Sequence, residues 1–494
     1  MKKVISIILI STFGILFLNA QFLQQGPPLL GTGFVGPGPE QGTSVALSSD
    51  GNTAIIGGPN DGDLNPGATW IFTRTNGVWS QQGSKLVGTG AIDLPQGAFQ
   101  GRSVSISADG NTSIIGGNYD SNGVGALWVF TRTNGVWSQQ GSKLIGTGAS
   151  GNAYQGISVS LSADGNTAIT GGIYDNTNIG AAWVFTRTAG VWSQQGNKLV
   201  GANAIGDSYQ GISVSISGDG NTAVVGGYED NFHTGAAWVY SRIGGVWEEM
   251  SKLVGTGAFG GARQGWSAAI SGDGKTIAVG GAQDANQRGA IWIYTLTNGD
   301  WIQQGPRIFG TGASGFAWQG VSASLSYSGD TLIEGGDYDG TVGGAAWIFT
   351  RDSGVWTQLG SKLIGTGGGG YEGYSVGISS DGTTAIVGGP GDGPNGISWI
   401  YSIPSITGLE TINKKQEVFY LYPNPALSTI TINQSTSSPN QQLLITNILG
   451  EEIYHQAINN SIQLTIDISQ WSNGVYFYQI RGDKETLQGR FVKQ

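Results

Sequence analysis

Carboxylates are the side chains best placed to do chemistry in this sequence, because other reactive types are scarce. Histidine occurs twice, as His233 and His455, and cysteine does not occur. Zinc sites built on histidine clusters, thiolate nucleophiles and disulfides are therefore excluded by number. His233 lies in Glu229-Asp230-Asn231-Phe232-His233-Thr234, a segment found once, which reads as a solvent-facing insertion. Asp61, Asp120, Asp175, Asp230, Asp284, Asp339 and Asp392 each stand three residues after a Gly-Gly pair. One reading makes them a ring of weak sites for cations or sugar hydroxyls, so these seven are the candidate ligand-binding residues. The other has each carboxylate accept backbone N–H groups of its own loop, as Asx turns do. An unbroken sevenfold recurrence favours the second, since catalytic sites break symmetry. Asn60-Asp61-Gly62-Asp63 and Asp337-Tyr338-Asp339-Gly340 add a second acid, enough for a weak Ca²⁺ site of the extracellular class. General acid–base work needs two carboxylates whose environments drive their pKa values apart, and no such pair stands out. The expectation is a protein that is not an enzyme, with no catalytic residue, no dedicated metal site and no cofactor beyond weak Ca²⁺.

Aromatic residues are the other candidates. Trp79, Trp137, Trp192, Trp247, Trp301 and Trp356 recur and could serve as sugar platforms, or fill the wedge between structural units. The glycine-rich stretches lack the strand–GxGxxG–helix setting of a nucleotide site and read as turns.

The elements that must carry these residues follow from an internal period. Trp70, Trp128, Trp183, Trp238, Trp292, Trp347 and Trp399 sit in similar apolar runs, at spacings of 58, 55, 55, 54, 55 and 52 residues. A period of this size means a propeller or a solenoid. In the unit that starts at Gln155, Ser158 to Ser162 alternates polar and apolar, which is strand periodicity. Asp164-Gly165 is a turn signal. Thr167 to Thr170 is a second strand stopped by Gly171-Gly172, Ala181 to Arg187 a third, and Val191 to Gln195 a fourth. Four short antiparallel strands make one propeller blade.

The ends of the array decide its closure. The last unit stops at Ser398-Trp399-Ile400-Tyr401 without a fourth strand, while Phe22-Leu23-Gln24-Gln25-Gly26 and Leu30-Gly31-Thr32-Gly33 match Val136 to Gly141 and Leu144 to Gly148. The N-terminal segment is thus predicted to complete the last blade, which leaves no unpaired edge at the closure. The fold class is all-β: a seven-bladed β-propeller over residues 21–404, closed by an N-terminal strand, plus a small C-terminal β-sandwich.

The repeat resembles the FG-GAP repeat of integrin α-type propellers. Gly42 to Val45, Gly101 to Val104, Gly156 to Val159 and Gly211 to Val214 carry the Gly-x-Ser-Val element, and a Gly pair follows the second strand. Gln41, Gln100, Gln155, Gln210, Gln264 and Gln319 replace the family's Phe, and its calcium loop is cut to an Asp-Gly turn. The resemblance therefore implies the fold and not the family's calcium sites.

Residues 1–20 have the parts of a secretory signal: Lys2 and Lys3, the apolar run Val4 to Leu18, and a small residue at Ala20 for cleavage. No other stretch is long enough to span a membrane. After a linker at 405–417, residues 418–494 read as short strands at Thr429 to Ile432, Leu443 to Thr446, Ile462 to Ile466 and Val475 to Ile480. Tyr422-Pro423-Asn424-Pro425, Gly450, Gly474 and a terminal Phe491-Val492-Lys493-Gln494 resemble the type A sorting domain of the type IX secretion system of Bacteroidota. The resemblance implies recognition by that machinery and a protein that is secreted or held at the outer cell surface.

Composition narrows the partners. Net charge is −10 and charged residues are only 11%, which argues against nucleic acid, whose binding rests on lysine and arginine contacts to phosphate. The sequence favours a non-catalytic binding or adhesion protein with a glycan or protein ligand. The alternatives are a secreted polysaccharide-degrading enzyme or a structural surface-layer component.

Overall fold

The computed structural model describes residues 21–92, 95–340, 343–403, 419–422, 426–434, 441–458, 463–481 and 486–494. The signal reading at 1–20 with its Ala20 cleavage point, the linker at 405–417, and Pro423, Asn424 and Pro425 lie outside the described residues. The chain divides into two compact units, Met1–Ser405 and Ile406–Gln494.

The first unit is built from seven four-stranded antiparallel sheets. Blade three shows the pattern, with strands Ser158–Leu161, Thr167–Gly172, Ala181–Thr188 and Val191–Gln194 pairing in chain order. The Gly pair expected to stop the second strand forms its last two rungs, Gly171 opposite Ala182 and Gly172 opposite Ala181. Glycine is required there. A Cβ on Gly171 would lie 1.8 Å from the carbonyl oxygen of Gly211 in the next blade. The innermost strands pack side by side in a circle, the last (Ser375–Ile378) against the first (Ser44–Leu47). Blade seven takes its fourth strand from the N-terminal segment, Leu23 opposite Ser402 and Gln24 opposite Tyr401. The ring is closed as the sequence implied.

Its core is seven wedges rather than one centre. Each of seven buried apolar clusters draws side chains from two neighbouring blades. The tryptophans that mark the period are fully buried in these wedges. Removing roughly 200 Å² of a tryptophan from water at about 25 cal/mol per Å² contributes about 5 kcal/mol per ring before entropy is counted. A returning loop lies flat on each ring, and a Cβ on Gly88 would stand 2.1 Å from Trp128. A buried glutamine fixes that loop: Gln100 accepts the Gly88 N–H at 2.5 Å and donates to its carbonyl at 3.0 Å. This is the role of the glutamine that recurs before the first strand of a blade.

Two further belts tie blade to blade. At one end of the central channel, backbone N–H···O bonds of 2.9–3.0 Å run from Ser49 to Ala108 and onward around the ring, until Ser380 donates back to Ser49. At the outer rim, Gln82 accepts both Trp137 Nε1 and Arg132 of the following blade, each at 3.0 Å, with Arg132 stacked 5.3 Å from the Trp137 centroid. Gln25 of the closing strand does the same for Arg74 and Trp79. The second recurring tryptophans, Trp301 apart, are thus engaged in these clamps.

The second unit is a β-sandwich. A three-stranded sheet (Phe419–Tyr422, Thr429–Gln434, Gln463–Asp467) and a four-stranded sheet (Glu452–Ala457, Gln442–Thr446, Gly474–Arg481, Thr486–Lys493) share one core that includes Ile430, Ile466, Leu443, Tyr476 and Phe491. Three of these strands escaped the sequence reading. Glu452–Ala457 shows why: it is an edge strand, exposed at nearly every position, so it carries no apolar alternation.

Candidate functional site

The seven recurring aspartates are turned inward. Asp175 is fully buried, accepts the Ser150 N–H at 2.7 Å on one oxygen and pairs with Lys198 on the other. Asp61, Asp120, Asp230 and Asp339 repeat this with Lys85, Lys143, Lys252 and Lys362, and Asp284 with Arg307. Asp392 alone has no cation. The partners come from a neighbouring loop rather than from the residue's own loop, as an Asx turn would have it. Breaking one buried pair strands its partner charge, so Asp175→Ala is expected to lower the unfolding free energy by about 3 kcal/mol. Chemical denaturation of the full chain measures it, and a loss below about 1 kcal/mol would contradict the assignment.

The two stretches singled out for calcium do not bring their acids together. Asp339 is committed to Lys362 while Asp337 faces a cavity, and Asp61 is committed to Lys85 while Asp63 is exposed. Among the described residues no group of three or more His, Cys, Asp or Glu is placed to hold a metal ion. His233 is exposed as expected and contacts Glu229, which also pairs with Arg263 at 3.1 Å.

A different constellation occupies the ring's other face, where the second strands end. The residue before each buried glutamine, or before Glu372 in blade seven, takes a left-handed backbone conformation: Glu40, Phe99, Tyr154, Tyr209, Arg263, Trp318 and Tyr371 have φ of 53–63°. That conformation is unfavourable for side chains of this size and persists where the surroundings impose it. Tyrosines that precede the buried aspartates in other blades interleave with these residues. The result is a chain of ring contacts 4.7–5.8 Å apart that runs from Phe99 through Tyr119, Tyr154, Tyr174, Tyr209, Tyr228, Trp266, Trp318 and Tyr338 to Tyr371. Most contacts are edge-to-face, the geometry that ring quadrupoles favour.

Inside this arc lies a cavity of about 290 Å³ bordered by Arg102, Trp266, Trp318, Asp337, Tyr338 and Tyr374. Asp337 follows the Gly pair of blade six, where the other blades have Pro59, Asn118, Ile173, Tyr228, Ala282 and Pro390. It is only 4% exposed, and its Oδ1 has no hydrogen-bond partner. Burial pushes its carboxyl up to about 7, against a weaker pull from its own backbone N–H. Arg102 donates to the Tyr374 hydroxyl at 3.2 Å and makes no ion pair among the described residues. The cavity therefore offers aromatic faces, one carboxyl near its ionisation point and one guanidinium. Repetition conceals Asp337 and Arg102, since neither type recurs at its position in another blade.

Two buried glutamates lie outside the cavity. Glu334 is held up to about 8 by burial, and Glu372 to about 7 by burial, partly offset by the Gly365 N–H and the Tyr401 hydroxyl.

In the C-terminal unit, Gly450 takes a positive φ at the turn beside Ile448 and Leu449, which are 71% and 78% exposed, and Gly474 opens the strand through Tyr476. Tyr422 ends the strand before the proline-rich motif.

No curated protein is similar to the chain. Among solved structures, two proteins named as candidate 6-phosphogluconolactonases are similar to it. One is from Bacteroides uniformis ATCC 8492 (15% identity, 66% of this chain and 85% of that one, TM-score 0.44), the other from Bacteroides fragilis NCTC 9343 (14%, 66% and 84%, TM-score 0.44). The expectation that the protein is not an enzyme is corrected on that finding, since both bear enzyme names; at this identity the likeness assigns no reaction. Residues 420–494 match the secretion system C-terminal sorting domain, covering the Tyr422, Gly450 and Gly474 positions read from the sequence. With that domain the chain is a protein exported by the type IX secretion system, secreted or carried to the cell surface.

Proposed function

We propose that the exported protein binds glycans, through the aromatic mouth of its ring. The observation that carries this reading is the unpartnered Asp337 Oδ1, buried yet facing a cavity bordered by Trp266, Trp318 and Tyr338. A pyranose ring presents apolar C–H faces that stack on indole and phenol rings, and hydroxyls that both donate and accept. Asp337 and Arg102 supply the matching polar contacts, and a few placed polar groups within an apolar cleft are what fix a small ligand. At about 290 Å³ the cavity suits one end of a sugar chain, with the aromatic arc available to the rest. A surface-exported position supports a role in attachment to polymers outside the cell.

The test is binding of the full chain to an immobilised panel of bacterial, algal and animal glycans. Trp266→Ala combined with Trp318→Ala is expected to weaken the strongest interaction by roughly 10–100-fold, the effect of removing aromatic anchors from a desolvated site. A thermal melt confirms that the variant is folded. Failure to bind any glycan, or equal binding by the double variant, would overturn the proposal.

A further inference from the structure

Blade seven departs from the other six at two positions. In blades one to six the aspartate Oδ2 meets a cation supplied by the segment after an outer strand: Lys85, Lys143, Lys198, Lys252, Arg307 or Lys362. In blade seven that segment is the N-terminal closing strand, and Pro28 stands where the others have lysine or arginine. Asp392 is 2% exposed; burial raises its carboxyl pKa against the weaker pull of the Gly369 and Gly370 amides, and its Oδ2 has no partner. This is the atom that holds the cation elsewhere.

The second departure adds charge. Six blades have the neutral glutamine that clamps the returning loop, and the seventh has Glu372. Both Glu372 oxygens accept the Gly365 N–H, at 2.7 and 2.8 Å, and Oε1 also accepts the Tyr401 hydroxyl at 2.9 Å. Asp392 and Glu372 act on each other electrostatically. The Trp399 ring flanks both: a Cβ on Gly389 would meet Asp392 Oδ2 and Trp399 Cζ3, and one on Gly368 would meet Glu372 Oε2 and Trp399 Cζ2. Blade four shows where a cation sits in this arrangement. Lys252, paired with Asp230, lies 5.1 Å from the centroid of Trp238, the counterpart of Trp399. Aspartate, cation and glutamine sum to zero charge in six blades. Aspartate, proline and glutamate give the seventh two acidic groups and no cation to offset them.

We propose that blade seven binds a divalent cation of the calcium class, through Asp392 Oδ2 and the Glu372 carboxylate beside Trp399. Carboxylate donors without sulfur or imidazole select a hard cation. The lysines and arginine that fill the equivalent seats are 15–23% exposed, so an ion can reach such a seat from solvent. Few protein ligands make the site weak, with half-occupancy at about 0.1–1 mM, the range of extracellular modules.

Thermal melts of the full chain in calcium chloride, from chelator up to about 10 mM, test the proposal, with sodium chloride at matched ionic strength as the control. The melting temperature of the natural sequence should rise saturably with calcium and not with sodium. Pro28→Lys supplies the missing cation from within the chain, so it should melt higher in chelator and lose the calcium response. Asp392→Asn should lose the response, and Glu372→Gln should raise the half-effect concentration at least about tenfold. No shift in the natural sequence, an equal shift with sodium, or an undiminished shift in Asp392→Asn would overturn the site. Should Pro28→Lys not fold, calorimetric titration of Asp392→Asn against the natural sequence decides.

Discussion

Truncating Phe22 to alanine is expected to lower the unfolding free energy by about 3–5 kcal/mol, the range for a buried aromatic ring. Phe22 lies just before the closing strand, is 2% exposed, and packs in the wedge between blades six and seven with Ile348, Leu363, Trp399 and Tyr401. The strand behind it is short, and Leu23–Gln24 makes only two rungs with blade seven. Further bonds extend the join, from the Gln25 N–H to the Ile400 carbonyl at 2.7 Å and from the Leu29 N–H to Ser398 at 2.7 Å. The apolar anchor therefore carries much of the closure. Denaturant titration of the full chain measures the effect, and limited proteolysis should cut first in blades one and seven. A loss under about 1 kcal/mol would mean that the backbone rungs alone hold the ring.

The second large effect depends on pH. Glu334 is fully buried on the second strand of blade six, where the other blades carry Ile56, Ile115, Thr170, Val225, Val279 and Val387. Neither carboxylate oxygen has a hydrogen-bond partner, and the nearby Gly310 amide, which would favour the charge, is committed to Gln319. Burial raises the folded-state pKa from 4.5 to about 8. A raised folded pKa gives stability that is fully present below the unfolded value, declines as pH rises, and is gone above the folded value. Between pH 4.5 and 8 the loss amounts to about 5 kcal/mol at 1.36 kcal/mol per unit. Glu334→Val should therefore be more stable than the natural sequence, by a margin that grows from acid to alkaline pH. Denaturant titrations at about pH 5 and pH 8.5 read this directly. A margin that does not change with pH would show that the carboxyl ionises as readily in the fold as in the unfolded chain.

Repetition made the frame of this molecule readable and hid its working face. Trp70 and its successors fix the blade count because a buried ring is needed in every wedge, and the match of Phe22–Gly26 to an outer strand reveals the closure. Attention to recurring residues then led to the aspartates and to Trp79 and its equivalents, and both sets serve joints between segments. The mouth of the ring is built from residues that do not recur. Asp337, Arg102 and Trp266 are ordinary in type and visible only when the blades are aligned and their exceptions read down each column. The aromatic arc is harder still, because its rings come mostly from two alternating positions, with Tyr228 and Trp266 from two others, and meet only once the left-handed turns before the inner strands set their direction. In the sorting domain, strands with a buried face announced themselves, while the exposed edge at Glu452–Ala457 had no pattern to read.

The distribution of the core into seven shared wedges has a consequence for durability. A linear array of repeats has two terminal units, each held by one neighbour, and peels from either end. Here no unit is terminal, and a blade can leave only after two wedges fail together. When one opens, the other keeps the parted surfaces close, and a high effective concentration drives them to rejoin. A nick in an exposed turn therefore leaves an assembled ring. A chain without cysteine cannot staple itself covalently against proteases outside the cell, and topology provides that persistence instead.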